Sequence, residues 1–364
     1  MRVAIIGTGV LGACVGWNLA RAGAQVTFID AAQPGEGVSD WSFAWVNASN
    51  KTVTKAYFDL NVAGMAEHRK LAEDIGSDGW WHPTGHLRWV DDPVAQDTLM
   101  QLVDLLAGWD YRVEVTTGAE VRRRLEPALA VPDEAPVVLY PDEGWVHGRH
   151  LVERLVGRAA AAGAEHRFGV AARAIGTASD GSVQAVTLSD GTSVAVDAVV
   201  NAAGPDASPI AALLGRWLPM RQEPGAVARL RCGPVPIRRA MHAPHIEMRP
   251  NGDSSMVLHS REVDALIGTS ADPSALLYEY ACRVIPELGG GREQVMLTRV
   301  SNRPIPADGF PSVGAVPSVP GYFEAVSHSG ITLGPVLGRL LATEILTGQR
   351  DALLAGFGAE RFEL

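Results

Sequence analysis

The chain opens on a spacing that allows few folds: Gly7-Thr-Gly-Val-Leu-Gly12, a GxGxxG turn set directly behind the apolar run Val3-Ala-Ile-Ile6. Each glycine in such a turn serves a separate end, namely a tight reversal, room for a pyrophosphate against the backbone, and close packing of helix on strand. Three glycines alone say little, and their surroundings supply the rest. Residues 13–22 read as a helix stopped by Gly23, Gly16 continues its small-residue face, and Gln25 to Ile29 form a second apolar run closed by Asp30. Strand, turn, helix, strand and terminal acid make a dinucleotide-binding βαβ unit. The pyrophosphate is expected beside Gly7, Gly9, Val10, Leu11 and Gly12, where free N–H groups and the helix dipole favour negative charge. Asp30 is expected to accept hydrogen bonds from the adenosine ribose and to disfavour a 2′-phosphate.

At 364 residues the chain exceeds what one core usually serves, so two or three domains are expected. Helical patterns are read near 57–74, 93–107, 118–125, 151–162 and 331–346. Ser179-Asp-Gly-Ser182, Ser189-Asp-Gly-Thr192 and Asn251-Gly252 are hairpin turns, the last within a β-rich stretch from Gly225 to Ser260. Ala198-Val-Val-Asn-Ala-Ala-Gly204 reads as a buried strand entering a turn, 303–321 as a Pro/Gly-rich loop, and 322–326 as a strand.

A net charge of −10 leaves no basic footprint for nucleic acid and disfavours an anionic membrane surface. Cys14, Cys232 and Cys282 stand far apart, which suggests neither a disulfide framework nor a zinc site, and no metal is expected. No apolar stretch reaches the length of a membrane helix and no secretory signal is read, so a cytoplasmic location is expected.

Asn201-Ala-Ala-Gly-Pro205 and Arg303-Pro-Ile-Pro-Ala-Asp-Gly-Phe-Pro-Ser-Val-Gly314, taken with the opening turn and its acid, choose between nicotinamide and flavin. With Ser39, Thr84-Gly85, Pro141-Asp-Glu-Gly144, Ser327-His-Ser-Gly-Ile-Thr-Leu333 and Arg361-Phe362, they resemble the D-amino-acid oxidase-like flavoprotein family, nearest its glycine oxidase and sarcosine oxidase branch. The resemblance implies an α/β fold: a Rossmann-type FAD domain from 1–50, 142–218 and 300–364, interleaved with an α+β substrate domain of mixed antiparallel sheet from 51–141 and 219–299. It also implies that Ser39, Ser42 and Ala44 line the flavin loop, that Val170 meets the adenine, and that Ala203 and Gly204 pass behind the pyrophosphate. Gly330, Ile331, Thr332 and Leu333 would open a helix whose N–H groups face the flavin edge that becomes negative on reduction. Residues 301–335 hold no Cys and 31–55 no His, so FAD is expected to be bound non-covalently.

On the substrate side, Arg303 stands where the resemblance places an arginine that clamps a carboxylate, a role suited to a planar fork. The sequence runs from His328 through Ser329 to Gly330 without the further arginine of glycine oxidases, which weakens the case for a glycine-like substrate. His259 matches a histidine of the flavin-facing strand in sarcosine oxidases, and Ser255 falls where their oxygen-activating lysine would stand. The electron acceptor is therefore open between O2 and another oxidant. Trp45 stands either as a wall of the substrate pocket or as core packing. The expected reaction is oxidation of the C–N bond of a small amine or amino acid, with hydride passing to flavin. A flavin-dependent 2-hydroxy-acid dehydrogenase using His259 as base, or a non-catalytic accessory flavoprotein, are the alternatives.

Overall fold

A computed structural model of the chain describes residues 1–290 and 296–363. The opening motif folds as its spacing dictates. Arg2–Ile6 pairs in parallel with Gln25–Asp30, and Val10–Arg21 is the helix between them. Four further strands complete a six-stranded sheet: Glu165–Phe168 beside Gln25–Asp30, Ala198–Asn201 on the other side of Arg2–Ile6, then Tyr322–Val326 and, antiparallel at the edge, Ser312–Ala315. Ser312–Ala315 lies inside the stretch expected to be loop. Three strands around the two Asp-Gly turns form a separate antiparallel sheet, Ala172–Thr177, Val183–Leu188 and Ser193–Ala195.

Helix contacts made through small residues cover the parallel sheet. A Cβ on Gly16 would lie 2.3 Å from the Phe28 ring, and one on Gly338 would lie 2.5 Å from the Cys14 Cβ. The first helix and the C-terminal helix Gly330–Thr347 therefore cross almost backbone to backbone. Lys55–Ile75 packs on the other side of the C-terminal helix, where Gly64 meets the Thr332 carbonyl.

The second unit is an eight-stranded sheet in the order 296–302, 224–231, 255–259, 246–250, 240–243, 86–88, 136–140 and 114–117. All its pairs are antiparallel except Ala240–Ala243 with His86–Arg88. Asn251 and Gly252 form the turn between Ile246–Pro250 and Ser255–His259. Helix Pro273–Val284, which the pattern did not announce, covers one face and joins a core with Leu230, Met248, Leu258 and Leu277. A single larger core joins residues from both units: Phe58, Leu60, Leu106, Tyr111 and Tyr140 cluster with Val3, Leu19, Leu333 and Leu337. Among the described residues, no helix is long and apolar enough to cross a membrane.

Candidate active site

Two clefts meet between the units. The first, of about 1000 Å³, runs over the C-terminal ends of Arg2–Ile6 and Gln25–Asp30, where α/β sheets collect ligands. Gly7, Gly9, Val10, Leu11, Asp30, Ser39, Ser42, Ala203, Gly204, Gly330 and Ile331 all line it. Gly12 lies beneath: its Cβ would stand 2.0 Å from the Gly7 carbonyl oxygen, so it sets how closely the helix approaches the strand. Gly7 has φ +98°, and a Cβ there would meet the Ala202 carbonyl oxygen at 2.4 Å. Only glycine combines that conformation with that approach.

Two expected contacts are placed differently. Val170 is not on the wall; its amide donates to the Asp30 carbonyl at 3.1 Å, and the following residues Ala171, Ala172 and Arg173 line the cleft. Leu333 turns away from both clefts into the core, because it occupies the inward face of the first helical turn.

Asp30 accepts hydrogen bonds from the Thr8 amide at 2.6 Å and the Ala32 amide at 2.9 Å. It thus holds the glycine turn and also stands on the wall of the first cleft. Burial raises its pKa despite those two donors. Ser39 Oγ accepts from the Val10 amide at 2.9 Å, at the N-terminus of the first helix. Asn201 explains the Asn-Ala-Ala-Gly run: its Nδ2 donates to the Ala207 carbonyl and the Tyr322 hydroxyl, its Oδ1 accepts from the Ala203 amide, and the turn closes at Gly204 with φ +59°.

Arginines from the second unit pin the loop between the two clefts. Arg229 donates to the Asp40 side chain at 2.6 Å and stacks 4.2 Å over Trp41, and buried Arg249 donates to the Phe43 carbonyl. Thr332 Oγ1 donates to the Trp45 carbonyl at 3.1 Å and accepts from the Asn47 amide, so its side chain anchors this loop to the C-terminal helix.

FAD, which the resemblance implies, suits this surface. The first cleft is a glycine cradle that any side chain at position 7 would fill, and the hydroxyls of Thr8 and Ser42 are buried on it with no hydrogen-bond partner among the described residues. No capping side chain closes the N-terminus of the C-terminal helix. Among the described residues, no cysteine lines either cleft.

The second cleft, about 520 Å³, shares Val38, Trp41, Ser42, Ser301, Pro304, His328 and Ile331 with the first, so the two are continuous. Ala44, Trp45, His259, Arg303 and Thr332 line it. Trp45 is a wall residue. Its ring stacks on His86 at 4.2 Å and lies 4.4 Å from His242, and its Nε1 donates to Glu143 at 2.8 Å. Glu143, quoted in the sequence only within Pro141-Asp-Glu-Gly144 and given no role there, is fully buried; burial pushes its carboxyl up to about 7 although Tyr111, Ser49 and Trp45 all donate to it.

Arg303 reaches the cleft but is not an open fork. One guanidinium nitrogen donates to Glu223 at 2.8 Å, and the other contacts Asp264 and lies 3.0 Å from His259. His259 is held on both sides, Nδ1 at 2.7 Å from Glu247 and Nε2 at 2.8 Å from Asp264. Burial works against its charged form, yet the two carboxylates raise its pKa to about 9. Burial also opposes the charge of Asp264, and the His259 contact more than offsets it. Glu247 also lies 3.1 Å from His242, whose Nδ1 is 2.7 Å from His86, so a continuous polar chain runs from the Trp45 wall to Arg303. None of Glu223, Glu247 and Asp264 was singled out from the sequence. The one signal available was the proximity of Asp264 to His259, five residues apart. Ser255 is off the cleft, donating to the Asn251 carbonyl at 2.6 Å; the lysine that lines the cleft is Lys51.

Comparison with known proteins gives a consistent result. A family model described as FAD dependent oxidoreductase matches residues 2–344. One of the subunits of the opine oxidase of Agrobacterium tumefaciens (strain Ach5) is 25% identical over 376 residues, covering 98% of this chain and 96% of that protein. The glycine oxidase of Geobacillus kaustophilus (strain HTA426) is 26% identical over 380 residues, covering 99% and 96%. The crystal structure of glycine oxidase from Geobacillus kaustophilus superposes with a TM-score of 0.86 at 24% identity, with 100% of both chains covered.

Proposed function

Because the chain belongs to the DAO family of FAD dependent oxidoreductases, we propose that it oxidises the C–N bond of a small amine or amino acid to an imine. The observation that carries this reading is the continuity of the two clefts: a nucleotide groove along the glycine turn opens at Ser42, His328 and Ile331 into an aromatic and charged chamber. Bound FAD supplies the two-electron acceptor for hydride from the carbon next to nitrogen. The amine gives up its proton to solvent, and water then splits the imine to a carbonyl compound and the smaller amine or ammonia.

The chain's own residues bind, orient and exclude water. Trp45 walls the chamber, Thr332 holds the Trp45 to Asn47 segment against the C-terminal helix, and the Arg229 and Arg249 contacts tie the intervening loop, which lines both clefts, to the second sheet. The relatives named for glycine and opine oxidation support a small amino-acid-like substrate. A 2-hydroxy-acid dehydrogenase would need His259 unprotonated at neutral pH, whereas Glu247 and Asp264 keep it charged. FAD is proposed to be held non-covalently, and the acceptor to be O2 or another oxidant. The test is an anaerobic screen of the holoenzyme against amino acids, N-methyl amino acids, simple amines and hydroxy acids, scored by flavin bleaching. Bleaching by hydroxy acids and by no amine would sink the reading.

A further inference from the structure

The second cleft carries more positive charge than its ion pairs use. Four cationic groups line it: Lys51, Arg261, Arg303 and the His259 imidazolium. Arg303 and His259 are committed to Glu223, Glu247 and Asp264. Among the described residues, the side chains of Lys51 and Arg261 make no hydrogen bond and no ion pair. Lys51 is half-buried on the turn that its amide closes onto the Ala48 carbonyl, four residues past the Asn47 amide that is tied to the C-terminal helix. Arg261 opens the short helix Arg261–Asp264, directly after the strand that ends in His259. The pair thus reaches the chamber from two segments of the chain 210 residues apart.

A half-buried ammonium without a counter-ion is held at a cost. Burial, then the charge of Arg261, lowers the Lys51 pKa to about 8, although Glu143 and Glu247 act the other way. A carboxylate between the two cations removes that mutual repulsion and replaces lost hydration with charge-assisted hydrogen bonds. Arg303 offers no comparable gain, since an incoming carboxylate there would have to displace Asp264 or Glu223 and would face Glu247.

We propose that Lys51 and Arg261, rather than Arg303, receive the carboxylate of the substrate, so that the enzyme acts on amino acids and not on simple amines. This rests on the C–N oxidation reading and adds its substrate class. It leaves Arg303 as a positioning residue that, with Glu223, Asp264, His259 and Glu247, sets the shape of the chamber.

The test reads binding without turnover. The holoenzyme is titrated at constant ionic strength with propionate, succinate and the uncharged propionamide, followed by the flavin absorption spectrum and by calorimetry. Propionate and succinate are expected to bind saturably, and propionamide at least tenfold more weakly. Lys51→Met and Arg261→Met should each raise the propionate Kd by about tenfold or more, as loss of one charge-assisted contact implies. Lys51→Arg should restore most of the affinity, and Arg303→Lys, which keeps a cation beside Asp264 and Glu223, should raise the Kd by less than either methionine variant. Unchanged propionate binding in both methionine variants would overturn the proposal. So would propionamide binding as tightly as propionate, or the main loss falling on Arg303→Lys. If Lys51→Met loses flavin, Lys51→Gln against Lys51→Arg decides the same point. Bleaching by amines without any carboxylate binding would sink this anchor while keeping C–N oxidation; Lys51-dependent carboxylate binding with no amine bleaching would do the reverse.

Discussion

Arg303 is the residue whose surroundings alter its role most. Its side chain is 19% exposed and its partner Asp264 8%, so replacing it takes one of two cationic partners from a largely buried carboxylate and leaves His259 as the other. Breaking such a pair costs about 3 kcal/mol, whereas the contact to the 46% exposed Glu223 contributes little. Arg303→Ala is therefore expected to lower the thermal midpoint clearly, as measured by calorimetry on the holoenzyme; a fall in reductive kcat/KM with an unchanged midpoint would instead mark an open substrate clamp. His259 shows the same network through pH. Its folded pKa of about 9 lies above the ordinary histidine value, so its stabilising contribution is complete below about pH 6.5 and is lost as pH rises through about 9. The stability difference between wild type and His259→Gln should shrink over that window by roughly 3 kcal/mol, read from urea midpoints at pH 6 and pH 9.5. A difference that stays constant would show that the imidazole is neutral. Asp30 touches the turn and the cleft together, so Asp30→Ala should weaken FAD binding by about ten- to a hundredfold. An unchanged Kd for the apoprotein would remove the acid from the nucleotide site.

At the level of elements, the two helices that cross over the parallel sheet depend on missing side chains. A methyl group on Gly338 would overlap Cys14 backbone and Cβ at 2.5 to 2.9 Å, where no flexible side chain can yield. Gly338→Ala should then cost about 1–3 kcal/mol by separating the helices. Because the C-terminal helix begins at the first cleft, where FAD is proposed to bind, it should also weaken FAD retention on gel filtration; full stability and full flavin content would contradict this packing. The loop between the clefts carries an opposite case. Ala44 sits at φ +54°, a left-handed conformation that an L side chain adopts at a cost. Ala44→Gly should leave stability unchanged or raise it by up to about 1 kcal/mol, and Ala44→Val should lower it.

Across the whole molecule, the two units share one large core. Phe58, Tyr111 and Tyr140 pack into the same cluster as Val3 and Leu333, and Arg229 and Arg249 tie the loop of one unit to the sheet of the other. Acid precipitation of the holoenzyme should release all of its flavin as FAD into the supernatant, since residues 301–335 hold no Cys and 31–55 no His; flavin in the pellet would mean a covalent link. Added FAD should raise the midpoint of the apoprotein in a single transition that includes both units. Two separate transitions would show that they fold independently.

The sequence by itself determined what is local. The turn at Gly7 to Gly12, the acid at position 30, the Asn201 turn, the Asn251-Gly252 hairpin and the glycine opening of the C-terminal helix are each set by residues within a few positions of one another, where backbone sterics and periodicity act directly. The matching wall of the first cleft was legible for that reason. What only the tertiary structure decided is charge pairing: Arg303 meets Glu223 from 80 residues away and Asp264 from 39, and Lys51 shares a cleft with Arg261. Whether a cation is spent on the fold or left for a ligand depends on which carboxylates the sheet brings within about 3–4 Å, because ion-pair energy falls off with distance and solvent screening. No spacing along the chain records that distance.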